Sequence, residues 1–153
     1  MSIRLIAAVV LVCGVLAGAN LDRLVVQLPA FQRLGASNWA IYSRRADLGH
    51  GLLFYPVIAI GAFLLSIVAF FVARADPFAH RALVPLGVTI VLELVGLLLT
   101  TQAAPHMFRL RRAAADDHPL FARSLRGFHR WSIFRGLFQI AAFLSSVWAL
   151  SVA

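Results

Sequence analysis

Four long apolar runs separated by polar stretches set the pattern of this chain. The first covers residues 3–20, with no charge from Leu5 to Ala19, and the second, 52–73, has no charge at all. The third, 82–104, holds one acid, Glu93, near its middle, and the fourth, 131–153, holds one base, Arg135. About 20 apolar residues wound as a helix cross a hydrocarbon layer of about 30 Å, so the pattern predicts four transmembrane helices. Pro56 and Pro85 fall near the starts of the second and third runs. A proline is tolerated there because the N–H it lacks would have no partner within the helix.

Glu93 does not disqualify the third run. An ionised residue at the bilayer centre costs about 2.5–3.5 kcal/mol on the insertion scale. The 12 Leu, Ile and Val residues of the same run supply about −4 to −7 kcal/mol at roughly −0.3 to −0.6 each.

The stretches between the runs carry their own periodicity. Leu21, Leu24, Val25 and Leu28 recur at the spacing of one helix face, and Pro29 is expected to break that pattern. Trp39 and Tyr42 precede Arg44 and Arg45, a combination suited to the headgroup region. Asp116, Asp117 and Pro119 read as a helix start. Phe121, Leu125 and Phe128 then face one way, which predicts an amphipathic helix feeding into the fourth span. The segment between Arg74 and Arg81 is a short connection. The fold expected is therefore all-α: one membrane domain over residues 1–153, a four-helix bundle with amphipathic interfacial segments in its first and third loops.

Composition agrees with a lipid environment. The chain is 61% hydrophobic and 13% charged, with a mean hydropathy of +0.88, whereas a soluble domain is nearer half apolar and a quarter charged. The net charge of +8 comes wholly from arginine, because there is no lysine. Arginines confined to short stretches between apolar runs point to topology and anionic lipid rather than to nucleic acid. Ten of them (Arg23, Arg33, Arg44, Arg45, Arg109, Arg111, Arg112, Arg123, Arg126 and Arg130) fall in loops one and three, against Arg4, Arg74 and Arg81 on the other side. The positive-inside rule then puts loops one and three in the cytoplasm and both termini outside, as in a bacterial inner membrane. Arg4, an apolar core and Ala17-Gly18-Ala19 also fit a secretory signal. Cleavage would turn the ten-arginine side outward, so an uncleaved first span is expected. The single cysteine, Cys13, allows neither a disulfide framework nor a cysteine metal cage.

Small residues suggest where helices approach. Gly14 and Gly18 form a GxxxG pair, and Ala141, Ser145 and Ala149 form a ladder in the fourth run. Close backbone approach lets van der Waals contact drive association in lipid, within the bundle or toward a second copy or a membrane partner.

Polar residues gather toward the arginine-rich end. Asn20 closes the first span, His50 opens the second, His106 follows the third and His129 precedes the fourth. Deeper in, Thr89, Glu93, Gly96 and Thr100 share one face of the third helix. His129, Ser132, Arg135, Gly136 and Gln139 share an arc of about 120° on the fourth. Glu93 and Gln139 come to similar depths, so a hydrogen bond between them is expected. Ionisable groups at such depth usually face the bundle interior and mark a site. The bland readings are a protonated Glu93 that sets helix register, an Arg135 that snorkels to the headgroups, and histidines that are merely at the rim. No zinc spacing, Ser-His-Asp set, phosphate loop or nucleotide fingerprint is present, and no metal or cofactor is expected. A b-type haem would have to hang between His50 and His106 or His129 near the interface, where such sites are unusual.

Three stretches carry a family resemblance: AGANLDRLVVQLPAFQRLGASNWAIYSRRADLGHG (17–51), TTQAAPHMFRLRR (100–112) and FHRWSIFRGLFQIAAFLSSVWAL (128–150). Together they resemble small four-helix bacterial membrane proteins of the anthrone-oxygenase-like family. The resemblance implies a four-helix bundle and, from some members, oxygenation of a polycyclic phenol without metal or flavin. Where that family often shows Pro-x-Asn, this chain has Pro105-His106-Met107. Where it shows Trp-x-x-x-Asn-x-x-Arg, this chain has Phe128, Ser132 and a matching Arg135.

Two function classes follow. One is an intramembrane site for a hydrophobic small molecule such as a phenol, quinone or lipid. There Glu93 or His129 would act as acid or base and Arg135 would stabilise a developing phenolate, with Asn20, His50, Thr100, His106 and Gln139 as binding residues. The other is a non-enzymatic accessory or interaction subunit that uses the small-residue ladders.

Overall fold

A computed structural model of the chain describes residues 1–111, 113–114 and 117–153, with nothing to report of the Arg111 side chain. Asp116 and Arg112, read above as a helix start and a loop arginine, therefore lie outside the described residues. Nearly all of the described residues are helical, and none of them lies in a strand. Four helical stretches are long and apolar enough to cross a membrane: Ser2–Leu34, Ala36–Ala75, Pro77–Phe108 and His118–Ser151. The protein is an all-α, multi-pass four-helix bundle.

The spans run longer than hydropathy alone marks them. Helix α1 (Ser2–Asp22) passes through a π-helical stretch, Arg23–Gln27, into α2 (Leu28–Leu34). Pro29 does not stop it. The wide turn just before takes the Leu28 N–H back to the Arg23 carbonyl, so the ladder is already shifted where the proline would interrupt it. The stop comes at Gly35, whose φ of 90° lies in the region that favours glycine. Helix α3 (Ala36–Arg45) leads through a second π-helical stretch, Ala46–His50, and a kink at Gly49 into α4 (Gly51–Ala75). A 3-10 turn, Pro77–Ala82, joins α4 to α5 (Leu83–Phe108), which continues past Pro105.

The expected amphipathic helix of the third loop is present as the first turns of α6 (His118–Ser151). The Asp117 side chain accepts from the Leu120 N–H at its start, and Phe121, Leu125 and Phe128 are buried. An N-cap aspartate supplies an acceptor to an N–H that has no partner within the helix.

The helices form a ring in the order α1, α4, α5, α6, with α5 and α6 in the most extensive contact and α4 and α5 in much less. Two apolar cores fill it. The one away from the arginines joins Ile6, Val9 and Cys13 to small residues Ala62, Ala69, Ala73, Ala82 and Ala149. Small side chains let the backbones close up, which is the means of association available in lipid. There Gly14 faces the Phe143 ring, and the Ser145 hydroxyl donates to the Pro85 carbonyl at 2.8 Å. The other core, at the arginine-rich end, joins Leu28, Trp39, Leu110, Phe121 and Phe128 under the α2–α3 bracket. Trp39 is not an interfacial aromatic but is buried against Phe128, ring centroids 5.5 Å apart. Arg44 holds this bracket to the α5–α6 connection, donating to the Leu110 and Ala113 carbonyls at 2.9 Å each.

Two predictions follow from this packing. A Cβ at Gly127 would collide with the His106 ring, whereas one at Gly18 would meet nothing within 4 Å. Gly127→Ala should destabilise the bundle by about 1–3 kcal/mol, as overpacked sites do, while Gly18→Ala leaves it unchanged or slightly firmer; unfolding in mixed micelles reads both. At the opposite end, the Ser2 hydroxyl and the Phe78 N–H donate to Asp76, and that carboxyl lies below its ordinary range. A depressed folded-state pKa contributes stability that is present above the unfolded value and lost as pH falls through the folded one. The Asp76 carboxyl carbon should therefore titrate below about 3.9 by NMR, and Ser2→Ala should raise that midpoint.

Candidate functional site

Between the two cores, at the arginine-rich end, the four spans part around a cavity of about 250 Å³. Its walls are apolar: Leu16 and Ala19 of α1, Leu52, Pro56, Ala59 and Ile60 of α4, and Leu97, Ala104, Met107 and Phe108 of α5. Leu52, Ile60 and Phe108 are also exposed on the outer surface, so the cavity opens sideways between α4 and α5. In a membrane it faces lipid.

The polar part of the lining is Asn20, Arg23, Asp47, Tyr55, Thr100, Arg135 and Gln139. Arg23 and Asp47 form a buried ion pair at 2.6 Å, with side-chain exposures of 7% and 4%. The Arg23 guanidinium also lies over the rings of Tyr55 and Phe128, at 5.3 and 5.5 Å. Each member of the pair sits on one of the two π-helical stretches. Arg23 extends the inward face of α1, following Cys13, Leu16 and Asn20 at α-helical spacing before the wide turn takes over.

Asn20 Nδ2 donates to the Leu16 carbonyl and to Gln139 Oε1, joining α1 to α6. Thr100 turns its hydroxyl back to the Gly96 carbonyl at 2.9 Å, leaving its methyl group to line the cavity. Arg135 is different. Its Nε is buried without a partner, and the guanidinium makes no ion pair or hydrogen bond among the described residues. It does not snorkel to the surface; it lines the cavity beside the Arg23–Asp47 pair.

Of the residues singled out in the sequence, the fold brings Asn20, Thr100, Arg135 and Gln139 together at this cavity. Glu93 lies one layer deeper. It does not bond Gln139, as its depth suggested; it accepts from the Cys13 thiol at 3.1 Å. Both Glu93 and Gln139 border a void of about 10 Å³ between that layer and the cavity. The third-helix face is otherwise as expected, with Thr89, Glu93 and Gly96 turned inward.

The three histidines lie elsewhere. His50 is exposed at the end of its π-helical stretch, and His106 packs against Gly127. His129 bonds Gln32 through Nδ1 at 3.1 Å and borders a surface groove. Three lining residues escaped the sequence reading: Arg23 was read as a topological arginine, while Asp47 and Tyr55 drew no notice. For Arg23 a signal is present in the sequence: it follows Cys13, Leu16 and Asn20 at the spacing of one helix face.

No family model, curated protein or solved structure matches this chain.

Removing one partner of a buried ion pair leaves an uncompensated charge, at a cost of about 3–5 kcal/mol. Asp47→Asn and Arg23→Met should each destabilise the bundle by that order. The double variant should recover much of the loss, giving a coupling that a double-mutant cycle measures directly; additive losses would dismiss the pair.

Proposed function

We propose that this protein binds a hydrophobic small molecule within the membrane, in the cavity between the two cores, with Arg135 and Gln139 facing its polar end. The observation that carries this reading is the unpartnered Arg135 in a mostly apolar cavity that opens sideways between α4 and α5. A guanidinium turned into an apolar cavity, with its Nε buried and left without an acceptor, is costly unless something occupies the space before it. Ligand pockets have this composition, with apolar walls and a few convergent polar groups. The arginine balance supports a position for the cavity at the cytoplasmic side of a bacterial inner membrane. If the bound molecule is transformed, as the resemblance to anthrone-oxygenase-like proteins implies, Arg135 is the residue placed to stabilise a developing anion. Glu93 would then exchange protons through the small void beside Gln139, which is about the size that holds one water.

The accessory-subunit reading has one observation in its favour. Gly18 is exposed with open space over it, which suits the approach of a second helix.

Mass analysis of an organic extract from the detergent-purified protein, with its absorption spectrum, tests the binding reading. A stoichiometric small molecule is expected from the native chain and not from Thr100→Phe, whose ring fills the cavity. Identical extracts from both, with only bulk lipid, would remove the reading and favour the accessory subunit.

A further inference from the structure

The charges and donors around the cavity identify the class of ligand, on the footing that the cavity is a binding site. The ionised side chains that line it are Arg23, Asp47 and Arg135. The first two cancel as an ion pair at 2.6 Å. Arg135 is left over, and Glu93 does not balance it, since Glu93 lies outside this lining and accepts from Cys13 one layer deeper. The cavity therefore carries one uncompensated positive charge.

The unused hydrogen-bonding groups lean the same way. The Arg135 Nε–H edge has no acceptor. Gln139 spends Oε1 on Asn20, which leaves its Nε2 hydrogens to donate. The Tyr55 oxygen lies 3.5 Å from the Arg23 guanidinium as an acceptor, leaving its own O–H to donate. The acceptors among the described lining residues are fewer: Asn20 Oδ1, the Thr100 hydroxyl oxygen and an Asp47 already engaged by Arg23.

We infer that the ligand is a single-chain amphiphile with a carboxylate head, a long-chain fatty acid, whose head meets Arg135 and Gln139 and whose tail leaves between α4 and α5 into the bilayer. Guanidinium and carboxylate match as two parallel N–H···O bonds, and one unit charge neutralises the other. An alkanoic acid, with an ordinary pKa of about 4 to 5, is ionised at neutral pH. A phenol, with one near 10, and a quinone both arrive uncharged and leave Arg135 unbalanced. At about 250 Å³ the cavity is below the range of about 300–1,000 Å³ that encloses a whole drug-sized molecule. A space of this size suits a head and the first carbons of one chain, with the remainder in lipid.

The test is a binding titration of the full chain in nanodiscs of zwitterionic lipid, using oleate, methyl oleate, a long-chain alkylphenol and oleoyl lysophosphatidate. Oleate is expected to bind at least about tenfold more tightly than its methyl ester, the scale of losing hydrogen bonds to a charged group. Arg135→Gln should erase that preference by weakening oleate alone, and Arg135→Lys should restore part of it. If Arg135→Gln does not fold, the oleate–ester comparison on the native chain decides. Equal binding of oleate and methyl oleate, or tighter binding of the alkylphenol, overturns the carboxylate assignment and leaves the binding reading intact. Tighter, Arg135-dependent binding of lysophosphatidate assigns the site to a phosphate head and overturns the proposal in favour of that source. Binding of none of the four overturns both readings.

Discussion

Arg23 and Asp47 come from stretches 24 residues apart, and their ion pair is the contact around which the arginine-rich half of the bundle is arranged. Withdrawn from water, each charge is tolerable only because the other is within hydrogen-bonding distance. Two aromatic faces, Tyr55 from α4 and Phe128 from α6, complete the shell around the guanidinium. The pair thus ties the end of α1 to the segment entering α4, with a ring of α6 packed on the same group. The bracket of α2 and α3 is folded over that end by Trp39 against Phe128 and by Arg44 at the α5–α6 connection.

A polar layer of this kind divides the bundle into unequal halves. The half away from the arginines closes on alanine, glycine and serine, where backbones approach and little space is left. The half with the ion pair cannot close so tightly, because bulky charged and aromatic groups hold the helices apart. The cavity sits where that spacing begins, and it opens between α4 and α5, which share far less contact than α5 and α6. The site is thus a consequence of how the bundle is packed, not a pocket added to a finished fold. Arg135 reaches it from the one long unbroken helix, which fixes its position more firmly than a loop would.

Glu93 and the histidines show how far one-dimensional reasoning reaches. Glu93 was rightly expected to face inward, because a charge-capable group on a lipid-facing surface is costly. Its partner could not be read, since matching depth along two helices leaves their rotation open; that rotation gives Cys13 to Glu93 and Asn20 to Gln139. The histidines share an end of the bundle with the cavity, but sharing an end is not sharing a face. His129 turns to Gln32 on the outside and His106 to Gly127 between helices.

What the sequence determined by itself is what depends on local patterning and on the solvent. Runs of apolar residues long enough to span lipid dictate four helices, small residues mark where they approach, and Asp117 with Pro119 marks a helix start. The inward face of the third helix follows from the same periodicity. Only the tertiary structure decided that Pro29 lies within a continuous helix, that Trp39 is buried, and that Arg23 pairs with Asp47 while Arg135 finds no partner among the described residues. The physical reason is that such pairings depend on how helices distant in sequence are rotated against one another, which the periodicity within each helix does not set.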